Sequence, residues 1–281
     1  MGILRARKAF WGTVAGVPAL TPGDGMWLVG VVDPDLGQDI GAVAAHAAQL
    51  VADGADLVDV DLSAAAQEGE PPDVTRMARL LRRLDTERIP VAVTTTSADV
   101  VVAAVDAGAR VVFDPSGGVV DQFMPRIVAA AGVSYVLGQS VVRPRALRPT
   151  TPGEFRELAL LRLEAFVAQG GDRQCIILDS GIGQLVRGGQ EWPIFDHLRR
   201  LEAIGYEVFV DASRTALFAD FPLDSLSARE SADETASGMC VLAACANAWG
   251  LQINNVSRAA ALVGHDATRS RRGLDARAHR P

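Results

Sequence analysis

"PVAVTTTSADVVVAAVDAGARVVFDPSGG", residues 90–118, contains one complete strand–helix–strand unit. Its first segment, "PVAVTT" (90–95), is a short apolar run, and "ARVVFD" (109–114) is another. Neither run leaves one face polar, which is how a strand buried on both sides reads. Residues 97–108 between them read as a helix. The unit ends in "PSGG" (115–118), a tight turn or a place where backbone approaches a ligand.

The same alternation runs outward in both directions. Strands are expected at "MWLVGVVD" (26–33), "ADLVDVD" (55–61), "SYVLGQ" (134–139), "CIILD" (175–179), "EVFVD" (207–211) and "LQINN" (251–255), none with polar alternation. Helical patterns cover 39–53, 73–86, 121–132, 153–169, 192–204, 230–249 and 257–266. "QDIGAVAAHAAQLVADGAD" (38–56) shows apolar residues at three- and four-residue steps, with Gly54 as the stop. Thr151 before Pro152 reads as an N-cap followed by a first-turn proline. Eight strand–helix units predict an α/β fold, a (β/α)8 TIM barrel, with a doubly wound sheet as the alternative.

Composition agrees and excludes several roles. The 281 residues are 49% hydrophobic and 22% charged, which describes a folded chain with ample core. A net charge of -7 argues against nucleic acid as a partner. Cys175, Cys240 and Cys245 show no CxxC spacing and read as buried free thiols of a reducing cytoplasm. The leader, 1–25, places basic residues before an apolar stretch, but Gly12, Gly16 and Pro18 interrupt it. No later run reaches the ~18 apolar residues of a membrane span. We therefore expect a cytoplasmic protein with no membrane partner, a barrel over 26–268 and a disordered basic tail over 269–281. Lys8 is the only lysine, so the body offers no lysine base and no lysine for phosphate.

In a barrel, chemistry gathers at the C-terminal strand ends. Those ends carry Asp33, Asp35, Asp61, Ser63, Thr94, Thr95, Thr96, Asp114, Gln139, Asp179, Asp211, Ser213, Arg214, Asn254 and Asn255. Some of the aspartates are expected to cap the helices that follow. His46, His197 and His265 fall in helical patterns and His279 in the tail, so neither a Ser–His–Asp triad nor histidine ligation of a metal is supported. No metal is assigned, and oxygen-ligated Mg²⁺ at the aspartates stays open. "GIGQLVRGGQ" (181–190) lacks the lysine and hydroxyl of a Walker loop.

Five phrases in order resemble the dihydropteroate synthase family, the pterin-binding barrels of folate biosynthesis. They are "QLVADGADLVDVD" (49–61), "VAVTTTSADVVVAAVDAGARVVFDPSGG" (91–118), "CIILDSGIG" (175–183), "VDASR" (210–214) and "AWGLQINNV" (248–256). The resemblance spans about 26–268 and implies a homodimeric transferase that binds a pterin-like small molecule. It also implies systematic departures. The first-strand asparagine of the family is absent from "VGVVDPD" (29–35), and its Thr–Arg pair reads Ala65-Ala66. Its pterin-contacting aspartate is Thr94, its fourth-strand asparagine is Phe113, and its lysine is Thr215. Its closing arginine and histidine are Gln252 and Asn254. Asp179 survives as the pterin carboxylate, with Thr95, Asp114, Ser213 and Arg214 as framework.

The family reaction displaces pyrophosphate from a pterin methyl carbon by the amine of p-aminobenzoate. Positive groups must stabilise the leaving polyanion. Losing them removes about 5 kcal/mol or more, on the order of 10³–10⁴ in rate. Three readings follow: a degenerate barrel that binds a small molecule or a partner, an enzyme repurposed for a less anionic substrate, and a weak divergent synthase. In the second, Asp179 is the catalytic acid or base. Ligand-binding residues are expected among Asp61, Thr95, Asp114, Gln139, Asp179, Asp211, Ser213, Arg214 and Asn254.

Overall fold

The structure, a computed structural model, describes residues 26–34, 39–63, 72–139, 151–182, 194–213 and 228–264. Strands and helices alternate: β1 (Trp27–Val32), α1 (Ile40–Ala52), β2 (Leu57–Asp61), α2 (Val74–Thr86), β3 (Val91–Thr94), α3 (Ala98–Asp106), β4 (Val111–Asp114) and α4 (Met124–Ala131). The second half is β5 (Ser134–Leu137), α5 (Pro152–Ala168), β6 (Ile176–Asp179), α6 (Ile194–Glu202), β7 (Glu207–Asp211), α7 (Ala228–Cys245), β8 (Gly250–Gln252) and α8 (Val256–Val263). Every strand pairs in parallel with the next, and β8 returns to β1 with Trp27 opposite Gly250 and Val29 opposite Gln252. The ring is closed, so the barrel is the fold and the open sheet is not.

The near-uniform hydrophobicity of the strands has a direct cause. Alternate residues such as Leu28, Val58, Val60, Val93, Val112, Leu178 and Val210 point outward into the layer shared with the helices. Their neighbours, including Val29, Leu57, Val111, Phe113, Val136, Ile177 and Phe209, fill the inside of the cylinder. At the N-terminal end Trp27 stacks on Trp249, with centroids 5.7 Å apart and planes 11° from parallel, and both indoles are buried.

Several expectations need correction. Polar alternation does occur, because Asp59, Asp61 and Gln252 sit at inward positions on β2 and β8. β8 ends at Gln252, so Asn254 and Asn255 lie beyond it. Asn255 caps α8, accepting from the Arg258 N–H at 3.2 Å. Thr151 caps α5 as expected, accepting from the Glu154 N–H at 3.2 Å. Of the thiols only Cys240 is buried, and burial pushes it up to about 11. Cys175 is half-buried and Cys245 is exposed. The leader, the tail and "GIGQLVRGGQ" beyond Ile182 lie outside the described residues, as does Arg214. Among the described residues no helix is long and apolar enough to cross a membrane.

Candidate ligand site at the barrel mouth

Four strand-end aspartates share one local device. The side chains of Asp61, Asp114, Asp179 and Asp211 each accept the N–H two residues on, from Ser63, Ser116, Gly181 and Ser213, at 2.8–2.9 Å. These are Asx turns, which close the strand-to-loop corner. Aspartate caps of the kind expected are found at α1 and α2, made by Asp39 and Asp73.

Asp114 is held through both of its oxygens. Its Oδ1 also accepts the Ser116 hydroxyl at 2.7 Å, and its Oδ2 accepts the Gly118 N–H at 2.6 Å and the Tyr135 hydroxyl at 2.7 Å. The residue is 1% exposed. Burial and the Asp114 charge hold Tyr135 well above the usual phenol range, so it stays a donor. Beside this node Arg162, buried on α5, donates to the Gly138 carbonyl at 2.6 Å and to the Gln139 side-chain carbonyl at 3.3 Å. Two glycines interlock the loops. A Cβ on Gly138 would lie 2.2 Å from the Asp114 carbonyl oxygen, and one on Gly117 (φ +61°) 2.4 Å from that of Gly138. Asp114 and Gln139 therefore hold the architecture of the rim, and their polar atoms are spent on it.

Inside the mouth, Phe113 packs on Phe209 with centroids 4.7 Å apart. Thr94, Val136, Asp179, Asp211 and Gln252 complete the wall, with Asp114, Pro115 and Gly138 at the β4–β5 side. The cavity between them measures ≈ 20 Å³, enough for about one water molecule. Below it Asp59 is fully buried, accepting the Thr94 hydroxyl at 2.7 Å and the Gln252 amide at 3.3 Å through the same Oδ2.

The expected site residues divide accordingly. Asp179, Asp211 and Asp114 reach the cavity, whereas Asp61 and Thr95 serve turns, with the Thr95 hydroxyl accepting from the Ser97 N–H at 3.2 Å. Ser213 donates its hydroxyl to Asp211 at 2.6 Å, and exposed Asn254 donates to the Ser213 carbonyl at 3.0 Å. Asp59, Arg162 and Tyr135 were not foreseen. Asp59 was legible as the inward partner of Asp61 in "LVDVD" (57–61). Arg162 in "LLRLEAF" (160–166) carries no such signal, since a mid-helix arginine normally faces solvent. Among the described residues no three His, Cys, Asp or Glu side chains converge as metal ligands.

His197 on α6 braces the β6 turn from outside. Its Nε2 lies 2.9 Å from the Ser180 carbonyl, and Phe155 meets the ring edge-on. Burial lowers its pKa from 6.5, so the unfolded chain binds this proton more readily. Stability is then full above about pH 6.5 and falls as pH drops toward the lowered folded value, by at most ~1.4 kcal/mol per unit. Urea unfolding between pH 7.5 and 5.5 should show this slope, and His197→Gln, which keeps a donor, should flatten it.

A closed parallel barrel with its polar side chains collected at the C-terminal mouth is the architecture of small-molecule enzymes and binding proteins. The family model of pterin binding enzymes matches residues 33–256, and the chain belongs to that family. It is 31% identical to the dihydropteroate synthase of Mycobacterium leprae over 228 residues, covering 75% of this chain and 79% of that protein. With the Bacillus subtilis dihydropteroate synthase it shares 29% over 205 residues, covering 70% and 69%. Among solved structures, Yersinia pestis dihydropteroate synthase with a pterine–sulfa conjugate superposes with TM-score 0.77 at 18% identity, covering 92% and 98%. The Xanthomonas albilineans enzyme gives 0.75 at 24%, covering 88% and 94%. The barrel and the family are thus as the sequence led us to expect.

Proposed function

We propose that this chain is a pterin-family barrel whose mouth no longer supports pyrophosphate-displacing condensation, and that it acts as a small-molecule-binding or partner protein, in a homodimer. The observation that carries this reading is the space taken by Phe113. Where the family pattern has an asparagine, a phenyl ring lies against Phe209 and occupies the wall of the mouth that the pterin would need. A second observation agrees with it. Thr94 and Gln252, which replace the family's aspartate and arginine, both hydrogen-bond to the Oδ2 of buried Asp59, inside the protein.

Steady-state turnover of 6-hydroxymethyl-7,8-dihydropterin pyrophosphate with p-aminobenzoate tests the proposal. With the leaving-group cations gone, the rate should lie about 10³-fold or more below that of the Mycobacterium leprae relative assayed in parallel. Comparable rates would end this reading.

A further inference from the structure

We infer that the N-terminal end of the cylinder is a site for ordered internal water, held between Trp27 on β1 and Ser134 on β5 and separate from the mouth. Strand register defines the place. Ser134 lies beside inward-facing Val111, Glu207 beside inward-facing Ile177, and Trp27 beside Gly250. A TIM barrel fills its interior with layers of side chains taken from alternate strands. Val29, Ala92, Val136 and Phe209 make one such layer on the odd strands. Two residues lower on the same strands come Trp27, Pro90, Ser134 and Glu207. The upper layer is wholly apolar, whereas the lower one carries an indole N–H, a hydroxyl and a carboxylate.

Two of those groups ask for a partner. Ser134 is fully buried and Trp27 is 7% exposed, yet neither the Ser134 hydroxyl nor the Trp27 Nε1–H meets a hydrogen-bond partner in the protein. Buried polar groups are rarely left so, because the hydration lost on folding is not returned. β1 and β5 stand on opposite sides of the ring, so a molecule near the axis can serve both. It must accept from an indole, which only donates, and bond to a hydroxyl, which does either. It must also be small. Leu57, Val111 and Ile177, at most 2% exposed, separate this base from Asp59 and the mouth. The stacked rings of Trp27 and Trp249 close the other side. Water meets each condition, and buried waters characteristically satisfy groups of this kind. Seated there, water links β1 to β5 across the ring and fixes the Trp27 indole in its stack.

A crystal structure at a resolution that shows ordered water should place one within hydrogen-bond distance of both Trp27 Nε1 and Ser134 Oγ, directly or through a second water. A base without such density would overturn the assignment. Ser134→Ala tests it by sign. Removing a hydroxyl that water serves should lower the urea midpoint by roughly 0.2–0.4 M. A hydroxyl that stands alone is better absent, so a midpoint that stays or rises would refute the water. Trp27→Phe keeps a stacked ring and drops the N–H. The double variant should then lose less than the two single losses combined, and strict additivity would mean that the two groups share no site. Should Trp27→Phe fail to fold, the density and the sign of Ser134→Ala decide.

Discussion

Asp114→Ala should cost this protein about 4 kcal/mol or more of folding free energy, the largest loss expected from one polar substitution. Four donors converge on that carboxylate: the Ser116 N–H and hydroxyl, the Gly118 N–H and the Tyr135 hydroxyl. Deleting the acceptor leaves them in a site 1% exposed, where each orphaned buried donor costs about 1–3 kcal/mol. Hydroxyls can rotate to other partners, and neighbouring losses do not add fully, so the total is set below the simple sum. For a domain of this size the midpoint of melting should fall by roughly 10 °C. Asp114→Asn should recover only part, since its amide N–H₂ group would face a donor on one side. Asp61→Ala is the control: that side chain is half-buried at the strand end, where water can replace the partners it loses, so its loss should be well below that of Asp114→Ala. Urea denaturation followed by circular dichroism measures all three. An Asp114→Ala protein as stable as the Asp61→Ala protein would show that the node is incidental.

The second large effect is a coupling. Thr94→Asp restores the aspartate of the family pattern but sets it against Asp59, which the Thr94 hydroxyl approaches to 2.7 Å. Two carboxylates that close cannot both ionise at low cost in a buried site. The single variant should lose about 3–5 kcal/mol. Gln252→Arg supplies a cation on the other flank of Asp59, where the amide now lies 3.3 Å away. The double variant should recover ~2 kcal/mol or more of that loss, well beyond the ~0.5 kcal/mol scatter of independent sites. Adding Phe113→Asn then opens the wall opposite Phe209, at a packing cost of about 3–5 kcal/mol. That triple variant, assayed in the cold, should bind hydroxymethylpterin at least about tenfold more tightly than the unaltered chain. Strict additivity of the two substitutions around Asp59 would mean that their replacement in this sequence is coincidental.

The eight strands were legible because burial on both faces leaves few polar residues to break an apolar run; their number pointed to a barrel, and the pairing of β8 with β1 decided it against the open sheet. The site was harder to read. Rim aspartates look alike in sequence, yet Asp114 is gripped by four donors from the β4–β5 side, two of them from Ser116 and one from Tyr135 on β5, while Asp179 and Asp211 line the opposite wall of the cavity. Nothing local to "ARVVFD" tells that Phe113 is a plug and not merely a missing ligand. That follows only once Phe209, some hundred residues on, closes against it. Arg162 and Tyr135 acquire their roles the same way, from loops brought together by the barrel. β8 was expected at 251–255, one residue late at its start and three at its end, which put Asn254 and Asn255 in the strand although both lie past it.

The stacked indoles at the far end carry one more consequence. Trp27 and Trp249 are each 7% exposed and stop the N-terminal opening of the cylinder, so it is a cul-de-sac. Whatever enters past Phe113 must leave by the same door, and a released product cannot be pushed out ahead of an incoming molecule. Every exchange of contents therefore takes place at the single C-terminal opening.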